Sequence, residues 1–216
     1  MERIMKKAQS LTEKIRLISN KQEFLHKLRE EDGDTLRNAS DSLRLNKDVV
    51  IAAIKKNADN YEYASEELRS CREVILHAFN GTAFNTPLMY ASEKLKSDRE
   101  VVIAAVRDDG GALCYTNTKF HSDRDIVLLS VNNWGMSLSC ASTELKNDRE
   151  VVIEAVKNFG HALEYASTEL RADKEIVLLA VDNDPGSIDY ASHKLQHDPE
   201  VLRVRFKMIN TKYHHM

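Results

Sequence analysis

The chain has 216 residues, 42% of them hydrophobic and 30% charged, with a formal net charge of −3. That composition is ordinary for a folded globular chain, and the near-neutral charge argues against a dedicated polyanion binder. No stretch approaches the run of about 18 apolar residues that a membrane span needs, and the opening MERIMKKAQSLTEKIRLISN lacks the continuous apolar core of a secretory signal.

Residues 1–20 predict a helix: Ile4, Ala8, Leu11, Ile15 and Ile18 form one apolar stripe, with Lys6, Lys7, Glu13 and Lys14 opposite. This helix is expected to cap a helical array over residues 21–209. Through that array an acidic residue precedes an apolar pair at Glu23, Asp48, Glu73, Glu100, Asp125, Glu150, Glu175 and Glu200. Each step is 25 residues except Glu73 to Glu100, which is 27, and the extra pair falls in the Gly81–Pro87 stretch, where glycine and proline mark a lengthened loop. Self-similarity at such a period is the signature of a repeat protein.

Each unit reads as two short helices. Asp98, Asp123, Asp148, Asp173 and Asp198 stand where an N-cap accepts from the free N–H groups of the first turn, and Pro199 suits a first helical position. The acids Glu100 and Glu150 face the positive end of the helix dipole. The body, as in Val101–Val106, is apolar on more than one face, which a helix packed between neighbours requires. Gly110, Gly135, Gly160 and Gly186 are expected to end the first helix in a left-handed conformation. A second helix then carries Leu113, Thr116 and Phe120, or Leu163, Ala166 and Leu170, along one face. Helices of about 10 residues are marginal alone, so each unit must bury itself against the next. Near the far end Arg203 and Arg205 replace the apolar Ile103 and Ala105, as suits a solvated last helix, and 210–216 is expected to be a tail.

The fold class expected is therefore all-α: an α-solenoid of short helical hairpins with a 25-residue repeat and an N-terminal capping helix. The unit Leu-Lys-x-Asp-Arg-Glu-Val-Val-Ile-x-Ala-Val-(x)3-Gly-x-Ala-Leu-x-Tyr-Ala-Ser resembles the repeats known as domain of unknown function 4116, closely over 88–202 and more loosely over 21–87, where Asn38 stands at the tyrosine position. The resemblance implies a helical array and a setting of intracellular bacteria and their hosts, with translocation into a host cell as one consequence. It carries no catalytic residue, cofactor or metal ligand to transfer.

Cys71, Cys114 and Cys140 are odd in number and without CxxC spacing. They are expected to be small thiols filling repeat positions, which points to a reducing compartment and a cytoplasmic chain. Two basic columns, Arg44/Arg69/Lys96/Lys146/Arg171 and Lys47/Arg72/Arg99/Arg124/Arg149/Lys174, lie at the turns between units. The second, through Arg72, Arg99, Arg124, Arg149 and Lys174, is the alternative anion-binding surface for nucleic acid or anionic lipid. The acids beside it offer the competing reading of pairing between units.

At the other edge the tips read Asp108-Asp-Gly, Asn133-Trp-Gly, Asn158-Phe-Gly and Asn183-Asp-Pro-Gly. Trp134 and Phe159 are equivalent in adjacent units, and Met136 and His161 follow them. These four residues form the candidate partner-binding site, because aromatics at loop tips make good anchors; the rings could equally fold back onto the helices. Leu129 and Leu179 read as packing before anchors. The tyrosines Tyr63, Tyr90, Tyr115, Tyr165 and Tyr190 read as a structural column of rings, and the serines beside them repeat too regularly to be catalytic. His193 and His197 are four apart without a third ligand. No P-loop, GxGxxG or GxSxG elbow is present. The expected function is non-catalytic recognition of another protein by an adaptor, inhibitor or host-directed effector; no metal and no cofactor are expected.

Overall fold

The computed structural model describes residues 20–28, 35–81 and 86–213. The capping helix expected over 1–20 falls, but for its last residue, outside them. No strand occurs among the described residues, and the fold class is an all-α solenoid of 25-residue units. The chain divides into two compact units, Met1–Leu95 and Lys96–Met216.

In the first unit, α1 (20–28) precedes α2 (Lys47–Lys56) and α3 (Arg72–Leu76). Asn46 caps α2, its side chain accepting from Val49 N–H. Cys71, at the same position before α3, makes no cap hydrogen bond. The core gathers Leu36, Val49, Val50, Ile54, Val74, Ile75 and Leu88. Two polar side chains are buried with them and satisfied. Asn60 accepts from Leu36 N–H at 2.9 Å and donates to the carbonyls of Asn57 and Ala53. The Tyr61 hydroxyl donates to the Arg69 carbonyl at 2.7 Å, and burial pushes its pKa well above the ordinary phenol value.

In the second unit, α4 (Arg99–Asp108), α5 (Arg124–Asn133), α6 (Arg149–Asn158) and α7 (Lys174–Asn183) each hold ten residues, and α8 (Pro199–Tyr213) follows. α8 thus runs into the stretch expected to be tail. Every expected aspartate cap forms: Asp98, Asp148, Asp173 and Asp198 each accept from two N–H groups of the first turn, and Asp123 accepts from Ile126 N–H. The Val/Ile pair and the small–Val pair one turn later are buried in all four helices, for example Val151, Val152, Ala155 and Val156. This is the two-sided apolar surface that stacking requires.

The second arm differs from the expected continuous helix. It is a six-residue 3-10 segment, Gly110–Tyr115, Gly135–Cys140, Gly160–Tyr165 or Pro185–Tyr190, and then, after an extended residue, a separate short turn. Among the buried residues Gly135, Leu138 and Ala141 stand three apart, with Ser137 buried as well, and that spacing matches three residues per turn. Ser192 makes no side-chain cap bond, but in the two copies before it a serine caps the short turn: Ser142 and Ser167 hydroxyls accept from Leu145 and Leu170 N–H. The backbone N–H of the same serines donates to the preceding copy, Ser142 to the His121 carbonyl and Ser167 to that of Lys146.

The glycines act by size, not by handedness. Among the described residues only Gly81 has positive φ, at 71°. Each long helix ends instead by turning extended at Asp109, Trp134, Phe159 or Asp184. A Cβ on Gly135 would stand 2.4 Å from the Ala155 carbonyl oxygen, and one on Gly160 2.4 Å from that of Ala180. Glycine there permits the backbone of one copy to lie against the helix of the next. Gly186 sits one residue later than these, since Pro185 takes their place in the last copy.

Candidate functional site

The tip column after the long helix has a default chemistry. Asn57, Asp109 and Asp184 each accept, through the side-chain oxygen, from the N–H two residues on, at 2.8–2.9 Å. The Asx side chain thereby caps the 3-10 segment it introduces. In the two middle copies Trp134 and Phe159 occupy this position and no side-chain cap forms. The asparagine at the end of the next helix binds a different N–H, one residue after the ring: Asn158 accepts from Gly135 N–H and Asn183 from Gly160 N–H, both at 2.7 Å. The same asparagines donate to the preceding helix end, at the Asn132 and Lys157 carbonyls. This relay across copies was not legible in the sequence, because each accepting asparagine lies 23 residues beyond the glycine that donates to it.

Released from capping, the two rings are exposed at one edge, Trp134 by 46% and Phe159 by 39%. They do not stand free. A Cβ on Gly111 would lie 3.1 Å from Trp134 Cζ3, so the six-membered ring of the indole rests on that backbone. Phe159 lies 5.5 Å from the His161 ring, which in turn meets Tyr190 edge-on at 5.5 Å. His161 Nδ1 is 3.4 Å from Asp184 Oδ2, an ion pair when the imidazole is protonated. Met136 and His161 are half-buried beside the rings. Thus Phe159 and His161 form one cluster with Tyr190 and Asp184, and Trp134 sits on the copy before. Each ring is thus packed on one side and open on the other.

The basic column has a different fate. Arg99 pairs with Asp123 at 3.4 Å, Arg124 with Asp148 at 2.8 Å and with Glu150, Arg149 with Asp173 at 3.4 Å and with Glu175, and Lys174 with Asp198 and Glu200 at 3.0 and 2.8 Å. Each cation is held by the cap aspartate of the next copy and, from Arg124 onward, by its first-turn acid as well. The Arg124 guanidinium holds the Asp148 carboxyl below the usual carboxylate range, and the Lys174 ammonium does the same to Asp198. In the first unit Lys47 pairs with Glu73 and Lys21 with Asp48; Arg72 also has an interaction. A polyanion would have to displace these acids.

The cysteines correct a further expectation. Cys114 and Cys140 form a disulfide, their Cα atoms 5.3 Å apart, and Cys71 is free. The inference of a reducing compartment rested on unpaired thiols and loses that support. Leu129 and Leu179 are half-buried. His197 Nδ1 lies 2.9 Å from the His193 carbonyl oxygen, and no group of three or more metal-ligating side chains occurs among the described residues. No helix among them is long and apolar enough to cross a membrane.

The family model described as Domain of unknown function (DUF4116) matches residues 30–69, 46–86, 71–120, 123–171 and 173–203, the first three overlapping, and together the matches span most of the chain. No curated protein and no solved structure matches it.

Proposed function

We propose that this chain, which belongs to the DUF4116 family, is a non-catalytic recognition scaffold that binds another protein through the edge carrying Trp134 and Phe159, with Met136 and His161 beside them. The observation that carries the reading is the abandoned cap. An Asx cap contributes about 1 kcal/mol, and two adjacent copies forgo it at the position where three others keep it. What replaces it is a pair of half-exposed rings, which add apolar surface to water. A local rule broken twice in register, beside a hydrogen bond from each following glycine to an asparagine of the next copy, is the pattern of a site kept for function. Rigid aromatics at an edge supply contact area at small entropic cost and are common interface anchors. The host-directed, adaptor and inhibitor roles all use such an edge.

The polyanion alternative draws on Arg72, Arg99, Arg124, Arg149 and Lys174. The pairing of the last four with acids of the next copy counts against it.

The experiment is affinity capture from the native cellular setting with the parent chain and the Trp134→Ala/Phe159→Ala double variant side by side. Far-UV circular dichroism should be the same for both, and a partner retained by the parent should be lost by the variant. A partner retained equally by both chains would remove this edge from consideration.

A further inference from the structure

We propose that Cys114 and Cys140 are a redox-exchangeable staple that sets how firmly the platform under Trp134 is held, with a small or protein dithiol as its reaction partner. The bond joins two neighbouring copies, the end of segment Gly110–Tyr115 to the end of segment Gly135–Cys140. The start of the same pair of segments is closed by Trp134, whose ring rests on Gly111 and whose Cβ lies beside Gly110. Sulfur at one end and indole at the other therefore pin one segment to the next. The Cα separation of 5.3 Å lies in the range a disulfide requires. In the next two pairs of copies the positions of Cys114 and Cys140 hold Ser139 and Tyr165, then Glu164 and Tyr190, so neither pair can be tied this way. The covalent link falls on the copy that carries the tryptophan.

Cys114 is exposed and Cys140 half-buried, which leaves the Cys114 sulfur open to attack. A dithiol thiolate forms a bond to that sulfur and Cys140 leaves as thiolate, which takes up a proton. The second thiol of the reductant then attacks its own sulfur in the mixed disulfide and releases Cys114. The reductant ends as a disulfide, and two electrons and two protons have passed to the protein. In the reduced chain the segment headed by Trp134 keeps only its non-covalent contacts. The consequence for partner binding rests on the reading given under Proposed function; the staple itself does not.

The chain contains one tryptophan, so its fluorescence reads this platform directly. The full chain purified without reductant should show one reactive thiol after denaturation, that of Cys71, rising to three after dithiothreitol. Reduction should raise acrylamide quenching and shift the Trp134 emission to the red while far-UV dichroism stays unchanged. Cys114→Ser/Cys140→Ser should match the reduced chain and ignore dithiothreitol, and Cys71→Ser should respond as the parent does. Three thiols in the unreduced chain, superimposable tryptophan signals in both states, or loss of helix on reduction would each overturn the proposal. These readouts need no partner, so a failed capture experiment and a failed staple are told apart.

Discussion

From Lys96 onward, four successive ten-residue helices each begin on an aspartate and each hand a cation to the next copy's acids. In the unit that closes at Leu95, the cap position holds Asn46 and then Cys71, and the helix behind Cys71 stops after five residues. The first unit also leaves Leu45 and Leu76 exposed, where the second has half-exposed or polar residues such as Leu128 and Asn147. The difference teaches where a short helix gets its stability. Val74 and Ile75 are as buried as Val101 and Val102, so burial of the first turn alone does not extend a helix; the capped start and the regular spacing accompany the full ten residues.

The sharpest way to break that comparison is to put a charge where each unit holds a leucine. Leu145 is 8% exposed and Leu45 is 56% exposed. Leu145→Asp should cost roughly 3–5 kcal/mol by burying an unpaired carboxylate, and Leu45→Asp should change stability by no more than about 0.5 kcal/mol. Equal losses in chemical denaturation would show that the buried faces are misassigned.

Next come the glycines, which serve the two units for opposite reasons. Gly135→Ala meets the Ala155 carbonyl and the Phe159 backbone and should cost about 3 kcal/mol. Gly81→Ala meets nothing within 4 Å but must adopt positive φ, at about 1 kcal/mol. A smaller loss at Gly135 than at Gly81, measured by urea unfolding, would contradict the close-approach argument.

Caps give a smaller effect of either sign. Asp148→Ala should lose about 1 kcal/mol. Cys71 has the same extended backbone as Asp98, φ −89° against −86°, so Cys71→Asp should gain up to about 1 kcal/mol by capping α3. Urea midpoints for the two variants check both, and destabilisation by Cys71→Asp would mean that something other than the missing cap limits the first unit.

The smallest effect is on acid stability. Asp148 and Asp198 have folded pKa values depressed by Arg124 and Lys174. Their contribution is therefore full above the unfolded carboxylate value of about 3.9 and is lost as pH falls through the lower folded value. Asp148→Asn keeps a capping side chain but removes the charge. It should flatten the decline in stability below about pH 4 relative to the parent, and an unaltered acid limb would show that the pairing across copies contributes nothing.

The repeat period, the aspartate caps, the buried Val/Ile pairs and the tip position of Trp134 and Phe159 were all legible in the residues, because each is spelled out by residue types within a copy. The 3-10 form of the second arm was less so. The spacing of Leu113, Thr116 and Phe120 suits one continuous helix, and only the extended break at Thr116 separates the segments. What the residues alone left out is what faces what across copies: the glycine under the next helix, the asparagine relay beneath the aromatics and the Cys114–Cys140 bond. Local sequence determined the helices and their caps because those hydrogen bonds close within a few residues. Tertiary structure decided these partnerships because their two halves lie 20 or more residues apart, and stacking alone brings them together.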